Sequence, residues 1–361
     1  MTTTPEKISE ELTRQVSKRV SQSVFDGSRL RVVLLVDVYD GAQQQFLEAY
    51  EEMGKQVSSV PGHVSDQLCQ SIENPSQWLI TSEWESAPPF LAWVNSEEHV
   101  QMVQPMHSCI RDTRSLRFHV VRETGGEQSS AQAAQRRLQS SPRIGDGVIR
   151  HALTFTVRPG SEKKVAEILS NYASPEARVD DTTRLCRTSL FMHGNRVIRA
   201  IEVRGDLLAA LRHVARQPEV RAVEEAINPY LEQERDLNDQ ESARVFFTRA
   251  ALPAVHHVTA DELPEGERYA LYYPARPGCG MELAEILARQ DESAAEDPAG
   301  PVLGSTIFQR DDVVVRLVDV RPGLGVDAAL PKAGAQAPLK ALLDGDTVRM
   351  ELITDRRSPD A

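Results

Sequence analysis

Three stretches of the chain repeat one order of hydrophobic and polar positions. Each stretch opens with an apolar strand pattern, passes through a turn and continues as an amphipathic helix. The openings lie at Arg31, His151 and Tyr269, so nearly equal lengths of chain separate them. The second and third openings also share Arg-Pro-Gly followed by Ala-Glu-Ile-Leu. A period of this regularity indicates internal repeats.

The downstream pattern of each repeat also agrees. Two short apolar strands are joined by a polar turn, which is typical of a β-hairpin. The hairpin strands are predicted at 66–72 with 78–85, 184–191 with 196–203, and 302–308 with 313–320. A second helix follows, and closing strands are predicted at 115–121, 243–250 and 347–354. The predicted order is therefore β-α-β-β-α-β, the ferredoxin-like arrangement.

The number of units bears on assembly. In such a unit two helices cover one face of a four-stranded antiparallel sheet and leave the other face open. An open apolar face is buried when two units pair, which gives a dimeric α+β barrel. We therefore predict an α+β fold of three ferredoxin-like units, with the second and third paired within the chain. The first unit is left to pair with its copy in a second chain, so a homodimer is predicted.

Polar, Gly-rich and Pro-rich stretches divide the chain between these units. The predicted organisation is an N-terminal polar segment, three domains separated by two linkers, and a tail. Their bounds are 1–28 for the polar segment, 29–122 for the first domain, 123–147 for a linker, 148–251 for the second domain, 252–267 for a linker, 268–355 for the third domain and 356–361 for the tail.

Composition restricts the function classes. A formal net charge of -12 argues against a nucleic-acid partner, because phosphate binding requires a surplus of Lys and Arg. No stretch is long and apolar enough to span a bilayer, and the polar N-terminus lacks the pattern of a secretory signal. Four scattered cysteines without a C-x-x-C pair are typical of reduced thiols. We expect a cytoplasmic protein with no membrane partner.

Signatures of bound cofactors and metals are missing from the sequence. It contains no G-x-G-x-x-G after a strand, no Walker loop, no G-x-S-x-G, no H-E-x-x-H and no Cys/His ligand pattern. We therefore expect neither a cofactor nor a metal. If the protein is an enzyme, its chemistry rests on side chains, the bound substrate and, where oxidation occurs, molecular oxygen.

The first repeat is the richest in residues that carry chemistry. It holds all three tryptophans of the chain, together with four histidines. On strand 78–85, the period of two places Trp78, Ser82 and Trp84 on one face with Ile80. With Gln67 across the hairpin, this face predicts a mostly apolar pocket that orients a planar ligand. The alternative is that Trp78 and Trp84 serve packing or an interface.

Histidines add a candidate base to this pocket. His99 lies on the second helix, from where it can reach over the sheet and act as a base near neutral pH. A solvated or helix-capping role is the alternative. His63 follows Pro61-Gly62, where it can line the mouth of the pocket, and Trp93 is included with His63 among the substrate-binding candidates.

The other two repeats carry weaker signals. Arg187 and Arg199 lie on paired strands of the second repeat, where they can bind an anion or form salt bridges with Glu202 and its neighbours. The third repeat has no His, no Trp and few polar strand residues, so it is expected to be a structural partner.

A family resemblance rests on particular residues. Segment 31–121 resembles the antibiotic biosynthesis monooxygenase domain, and segments 148–250 and 268–355 resemble the SchA/CurD-like domain of proteins from aromatic polyketide and spore pigment clusters. The carrying residues in the first segment are Pro61-Gly62, Asn74-Pro75, Glu83-Trp84-Glu85-Ser86, Phe90 and Ser96-Glu97-Glu98-His99.

The resemblance implies oxidation of an aromatic polyketide, phenol or anthrone to quinone, with molecular oxygen as co-substrate and without metal or flavin. Trp84 and Trp78 would supply a stacking wall and His99 the base, with Trp84 and His99 as the catalytic residues. The sequence departs from the anthrone-oxidising pattern at Ile80, where that pattern has an Asn. The Trp and His spacing of haem-degrading relatives is not matched either.

Two other classes of function fit the same sequence. A polyketide cyclase, or a chaperone-like binder of a reactive polyketide, needs the same cavity but no oxygen. A scaffold protein that joins a biosynthetic complex needs no small molecule. Dependence on oxygen separates the first alternative from an oxygenase, and a stable partner without ligand binding indicates the second.

Overall fold

The computed structural model describes seven stretches of the chain, namely residues 20–121, 145–171, 174–236, 239–259, 266–297, 299–330 and 333–358. Most of the predicted N-terminal segment and of the first linker, residues 260–265 of the second linker and the end of the tail lie outside these residues. The chain divides into two compact units, one of residues 23–142 and one of residues 1–22 with 143–361. Among the described helices, none is long and apolar enough to cross a membrane.

The first repeat follows a short strand and has the predicted order of elements. The short strand is β1, Val20–Ser23; the repeat then comprises β2 (Leu30–Val38), α1 (Gln43–Val57), β3 (His63–Gln70), β4 (Gln77–Trp84), α2 (Ala87–Val94), α3 (Glu97–His107) and β5 (Ile110–His119). Strands β3, β4, β2 and β5 form an antiparallel sheet in that spatial order. This is the ferredoxin-like topology that the pattern predicts.

Alternation along β2 explains why one face of this sheet is covered. Leu30, Val32 and Val36 are buried beneath the helices, whereas Arg31 and Leu35 are exposed on the other face. A strand directs successive side chains to opposite faces, so one face joins the core and the other stays open. The core contains Phe46 of α1, Trp78 and Ile80 of β4, and Met106 of α3, among other residues.

The second and third repeats contain the remaining elements. The second comprises β6 (Val148–Thr156), α4 (Glu162–Ser170), β7 (Arg184–His193), β8 (Arg196–Arg204), α5 (Leu207–Arg216), α6 (Pro218–Ile227), α7 (Gln240–Ala250) and β9 (Ala251–Thr259). The third comprises β10 (Glu267–Pro274), α8 (Gly280–Ala294), β11 (Val302–Arg310), β12 (Val313–Val320), α9 (Ala333–Leu342) and β13 (Val348–Arg357).

The strands of these two repeats form one closed sheet. Their order is β9, β11, β12, β10, β13, β7, β8 and β6, and β6 pairs again with β9. One apolar cluster takes residues from all eight strands and from no helix, including Phe191, Phe308 and Met350. This cluster fills the interior of an α+β barrel, so the expected pairing of the second and third repeats within the chain is confirmed.

The predicted position of the closing strand of the second repeat is wrong. Residues 243–250, predicted as that strand, belong to helix α7, and the strand is β9, Ala251–Thr259, in a segment expected to begin a linker. Phe246 and Ala250 stand four residues apart and are both buried in the helix-side core of this repeat. That spacing brings side chains together on one face of a helix, whereas an apolar run by itself fits a strand equally well.

Buried arginines in the barrel are neutralised by carboxylates. Arg187 contacts Asp319 at 2.9 Å and Asp355 at 2.5 Å, and Arg268 contacts Glu202 and Asp319 at 2.7 Å each. Burial raises the pKa of Asp319, but the charges of Arg268 and Arg187 outweigh it and hold that pKa below its usual range. Arg187 is therefore committed to ion pairs and is not an anion-binding residue.

Candidate active site in the first repeat

Five ring-bearing residues of the first repeat form an aromatic cluster, defined here as His63, Trp84, Phe90, Trp93 and His99. The indole of Trp84 is fully buried. It stacks on Trp93 with ring centroids 5.3 Å apart and meets His63 and Phe90 edge-on at 5.2 and 5.4 Å. The ring of His99 lies 4.3 Å from that of Trp93. The cluster forms a wall suited to a planar ligand.

Local sequence positions each ring of this wall. Trp84 ends β4 on the helix-covered face, paired with Leu30 of β2. Phe90 and Trp93 are three residues apart on α2, so both face the sheet. Ser96 caps α3, and its hydroxyl accepts a hydrogen bond from the backbone N–H of His99 at 3.1 Å. The cap thus fixes His99 in the first turn of α3, beside Trp93.

A row of residues crosses the sheet beside the aromatic cluster. Strand register aligns Asp66, Ser82, Val32 and Arg117 on the helix-covered face, and we call this the central row. The row crosses four neighbouring strands, about 14 Å at the usual strand spacing of about 4.8 Å. Its carboxylate and its guanidinium therefore lie at opposite ends.

The central row is linked to the wall by specific contacts. The Trp84 indole N–H donates to Ser82 Oγ at 2.8 Å. Nε2 of His63 lies 2.7 Å from Oδ2 of Asp66. At the other end, the guanidinium carbon of Arg117 lies 5.4 Å from the centroid of the Phe90 ring. The arrangement combines a planar apolar wall with polar groups spaced along a floor.

Burial shifts the pKa values of three groups around this floor. Desolvation, reinforced by the charges of His107 and Arg117, lowers the pKa of His99 to about 4. Desolvation followed by the charge of Asp66 raises the pKa of Tyr50. Desolvation also lowers the pKa of Arg117, although its side chain is exposed to solvent. At neutral pH, His99 is therefore an uncharged imidazole that can accept a proton.

Two polar atoms of the wall lack protein partners. Within the described residues, the indole nitrogen of Trp93 and Nδ1 of His99 are buried and make no hydrogen bond. Buried polar groups without a partner are uncommon, since each costs about 1–3 kcal/mol. A bound ligand with a donor and an acceptor would satisfy both atoms.

The structure brings together five of the seven residues predicted for the site. Trp84, His99, Trp93, His63 and Ser82 lie in or beside the aromatic cluster. Whether each binds substrate or acts in catalysis stays a prediction.

Two predicted site residues lie elsewhere. Trp78 packs against Phe46 at 5.5 Å in the hydrophobic core, as the packing alternative for this residue has it. Gln67 pairs with Thr81 and is exposed on the opposite face, because the hairpin register places Asp66 beside Ser82 instead. The polar residue that β3 places beside Ser82 on the helix-covered face is therefore Asp66, not Gln67.

Arg117 is a further candidate residue, which the sequence did not indicate. The period of two along β5 places Ser115, Arg117 and His119 on one face, which is the signal that could have found it. The sequence alone could not distinguish a surface arginine from one beside Phe90, because that contact depends on how α2 packs.

Neither of the other repeats reproduces the aromatic cluster at the equivalent place. Trp84 is replaced by Val203 in the second repeat, where it packs with Leu185 and Ala210. Four residues further along the first strands, Leu34, Leu153 and Leu271 are equivalent residues. Their partners are Ile80, Arg199 and Arg316. Arg199 is paired with Glu224, and Arg316 with Asp291 at 2.5 Å. Salt bridges occupy these places in the second and third repeats.

Metal binding has no evident site in the parts of the chain that the structure describes. Among those residues, no group of three or more His, Cys, Asp or Glu side chains converges in a way that could hold a metal ion.

Comparisons with known proteins identify two family matches and close relatives. The antibiotic biosynthesis monooxygenase model matches residues 29–105, and the SchA/CurD like domain model matches residues 148–260. The second match extends through β9, consistent with the corrected closing strand.

The relatives align along nearly the whole chain. Polyketide synthase CurD of Streptomyces cyaneus is 60% identical, over 95% of this chain and 98% of its own. Protein SchA of Streptomyces halstedii is 58% identical, over 95% and 97%. A solved structure of SnoaB, a cofactor-independent oxygenase from Streptomyces nogalater, matches 28% of this chain and 99% of its own at 15% identity, with a TM-score of 0.26. Because these two relatives are 58–60% identical along nearly their whole length, this chain belongs to the SchA/CurD family. Its first repeat is an antibiotic biosynthesis monooxygenase domain.

Proposed function

We propose that the first repeat oxidises an aromatic polyketide, a phenol or anthrone, to a quinone with molecular oxygen and without a bound cofactor. The observation that carries this proposal is the stacked Trp84–Trp93 wall beside an uncharged, half-buried His99. The match of residues 29–105 to the antibiotic biosynthesis monooxygenase family supports the reaction class.

The chemistry needs a base and an environment that stabilises an anion. His99 accepts a proton from the substrate, and the resulting carbanion or phenolate is electron-rich enough to reduce dioxygen directly. One oxygen atom bonds to the ring carbon as a hydroperoxide, which then loses water and leaves a carbonyl. One dioxygen is consumed for each quinone and each water formed, so the substrate supplies all the electrons.

The wall and the floor have separate tasks in this proposal. Trp93 presents the wall to the planar substrate. The fully buried Trp84 stacks on Trp93 from behind, and its hydrogen bond to Ser82 keeps its indole in place. The partnerless N–H of Trp93 is a donor for an oxygen atom of the substrate or of the peroxide. That donor is relevant because Ile80, which is buried, supplies no amide where the anthrone-oxidising pattern has an Asn.

The test is oxygen uptake by the purified full chain with an anthrone, a metal chelator present and no cofactor added. Enzyme-dependent uptake matched one to one by quinone absorbance is the expected result. A ring-closed product formed under nitrogen would overturn the proposal in favour of a cyclase. Absence of both binding and products would favour a scaffold protein.

The same proposal includes a homodimer formed through the open face of the first repeat. Leu35 and Phe118 lie on that face and are 44% and 50% exposed. The second and third repeats bury their open faces against each other, so pairing of such faces already occurs within this chain.

The four cysteines, Cys69, Cys109, Cys186 and Cys279, are free, which supports a reducing cytoplasm as the place of action.

A further inference from the structure

Arg117 differs from the buried arginines of the barrel in having no carboxylate beside it among the described residues. Arg187, Arg268 and Arg316 each contact at least one carboxylate. Among the residues that the structure describes, Arg117 has no carboxylate or hydrogen-bond partner, and its neighbour is the ring of Phe90. Within that part of the chain, its charge is therefore available to a bound anion.

The side chain of Arg117 is exposed, and its guanidinium carbon lies 5.4 Å from the centroid of the Phe90 ring. Nearby protein atoms desolvate the guanidinium and lower its pKa, yet solvent still reaches the side chain. A cation in such a place interacts more strongly with an anion than a cation on an open surface, because less water screens the pair. A planar guanidinium is also suited to bind a carboxylate through two parallel hydrogen bonds.

The far end of the central row has the opposite character. Asp66 lies there with His63. Its strand, β3, is about 14 Å from β5, the strand that carries Arg117. A second anionic group at that end would meet the carboxylate of Asp66. The row therefore favours a ligand that is anionic at one end and uncharged at the other.

We infer that the ligand of the first repeat is an aromatic polyketide bearing an acidic group, a carboxylate, which Arg117 binds. This inference rests on the proposed function and specifies the substrate class of the same site. Once bound, the carboxylate offsets the charge of Arg117 beside His99, so the substrate itself makes the imidazole a stronger base.

Binding can be measured apart from activity. All three tryptophans of the chain lie in the first repeat, so quenching of intrinsic fluorescence reports this site. The probes are an anthraquinone carboxylate and the matching neutral hydroxymethyl anthraquinone. The wild-type chain is expected to bind the carboxylate about tenfold more tightly, the usual effect of one charge-assisted hydrogen-bonded pair.

Substitution of Arg117 tests the inference. Arg117→Gln is expected to bind both probes equally, at the affinity of the wild type for the neutral probe, and Arg117→Lys to keep part of the preference. The matched control is Arg114→Gln, since Arg114 lies on the same strand but on the open face, and its preference is expected to be unchanged. If Arg117→Gln does not fold, Arg117→Lys carries the test.

Several results would overturn the inference. A carboxylate preference that survives in Arg117→Gln, or equal weakening of both probes, would contradict it. A hydroxyanthraquinone preferred only above the pKa of its phenol, with no preference for the carboxylate, would identify a phenolate instead. A preference lost in the variant, without oxygen uptake by the wild type, would leave the binding inference standing and refute the oxygenase. Oxygen uptake without any preference would do the reverse.

Discussion

At the scale of single residues, the position of His99 determines its chemistry. A histidine exposed on a helix has a pKa near 6.5, whereas the ring of His99 is packed against Trp93 and near Arg117. Both effects disfavour the charged form. The residue therefore stays neutral over the whole physiological range, and a bound anion that offsets the charge of Arg117 would make it a stronger base.

Removal of His99 or Trp84 tests these assignments. His99→Ala removes the base, and a loss of about a hundredfold or more in the rate of quinone formation is expected. Trp84→Ala removes the central ring of the wall and is expected to abolish product formation. His193→Ala, on an exposed hairpin turn of the second repeat, is the control and should keep full activity. Circular dichroism checks that each variant is folded, and full activity in both site variants would move the site elsewhere.

The low pKa of His99 also predicts a pH dependence of stability. The unfolded chain binds a proton at this residue near pH 6.5, but the folded chain does so only near pH 4, so stability is complete above the first value and falls between the two. The effect is at most of the order of 3 kcal/mol. Urea unfolding across this range should show a smaller change in His99→Gln than in the wild type. Identical pH profiles would contradict the shift.

The sequence allowed much of the site to be predicted, and its limits have physical causes. Alternation placed Trp84 and Ser82 on one face, and the helix pattern placed His99 near them. The prediction of Gln67 is wrong, because the register of the hairpin, which the sequence does not reveal, places Asp66 opposite Ser82. Arg117 acquires its role from the packing of α2, which no local pattern contains.

At the scale of elements, three copies of one β-α-β-β-α-β order hold different contents at equivalent places. The residue that pairs with Leu34, Leu153 or Leu271 is Ile80, Arg199 or Arg316. In the third repeat, Arg316 is hydrogen-bonded to Asp291 of α8, to Ser305 and to the backbone carbonyl of Ala329. The hydrogen-bonding groups of Arg316 and Asp291 are thus engaged with each other and with their neighbours.

This ion pair should be a strong determinant of stability. Asp291→Ala strands the buried charge of Arg316, and a loss of about 3–5 kcal/mol in the free energy of unfolding is expected. Glu285→Ala on the same helix breaks the outer pair with Arg289 and should cost less than about 1 kcal/mol. Urea unfolding of the full chain measures both. Equal losses would show that burial does not control the cost.

Helix α7 is the element whose type the sequence pattern predicted wrongly. Residues 243–250 are apolar enough to resemble a strand, but Phe246 and Ala250 point to one core as residues of a helix do. The true closing strand, β9, pairs with β11 and β6 through contacts distant in sequence. Long-range pairing of that kind determines that 251–259, and not 243–250, is the closing strand. The remaining strands have clear turn and alternation signals in the sequence.

At the scale of the whole molecule, an odd number of repeats means that one open sheet face has no partner within the chain. The second and third repeats close a barrel whose interior is packed by residues from all eight strands. The first repeat carries exposed apolar residues on its open face, which is typical of a surface that binds another protein. Its pairing with a second copy is the assembly proposed above.

The dimer can be tested on the open face. Leu35→Arg places a charge among apolar residues, and a shift from dimer to monomer is expected in analytical ultracentrifugation. Leu208→Arg is the control, because Leu208 is 51% exposed on α5 of the second repeat. A wild-type chain that sediments as a monomer, or a Leu35→Arg chain that remains a dimer, would contradict this assembly.

The most direct measurement is the mass of the quinone formed by the purified chain under heavy-isotope dioxygen. Reaction at the first-repeat pocket predicts one heavy oxygen atom in each quinone, with incorporation lost in His99→Ala. A quinone that forms at the wild-type rate without heavy oxygen, or that carries it equally in His99→Ala, would contradict oxygenation at this site.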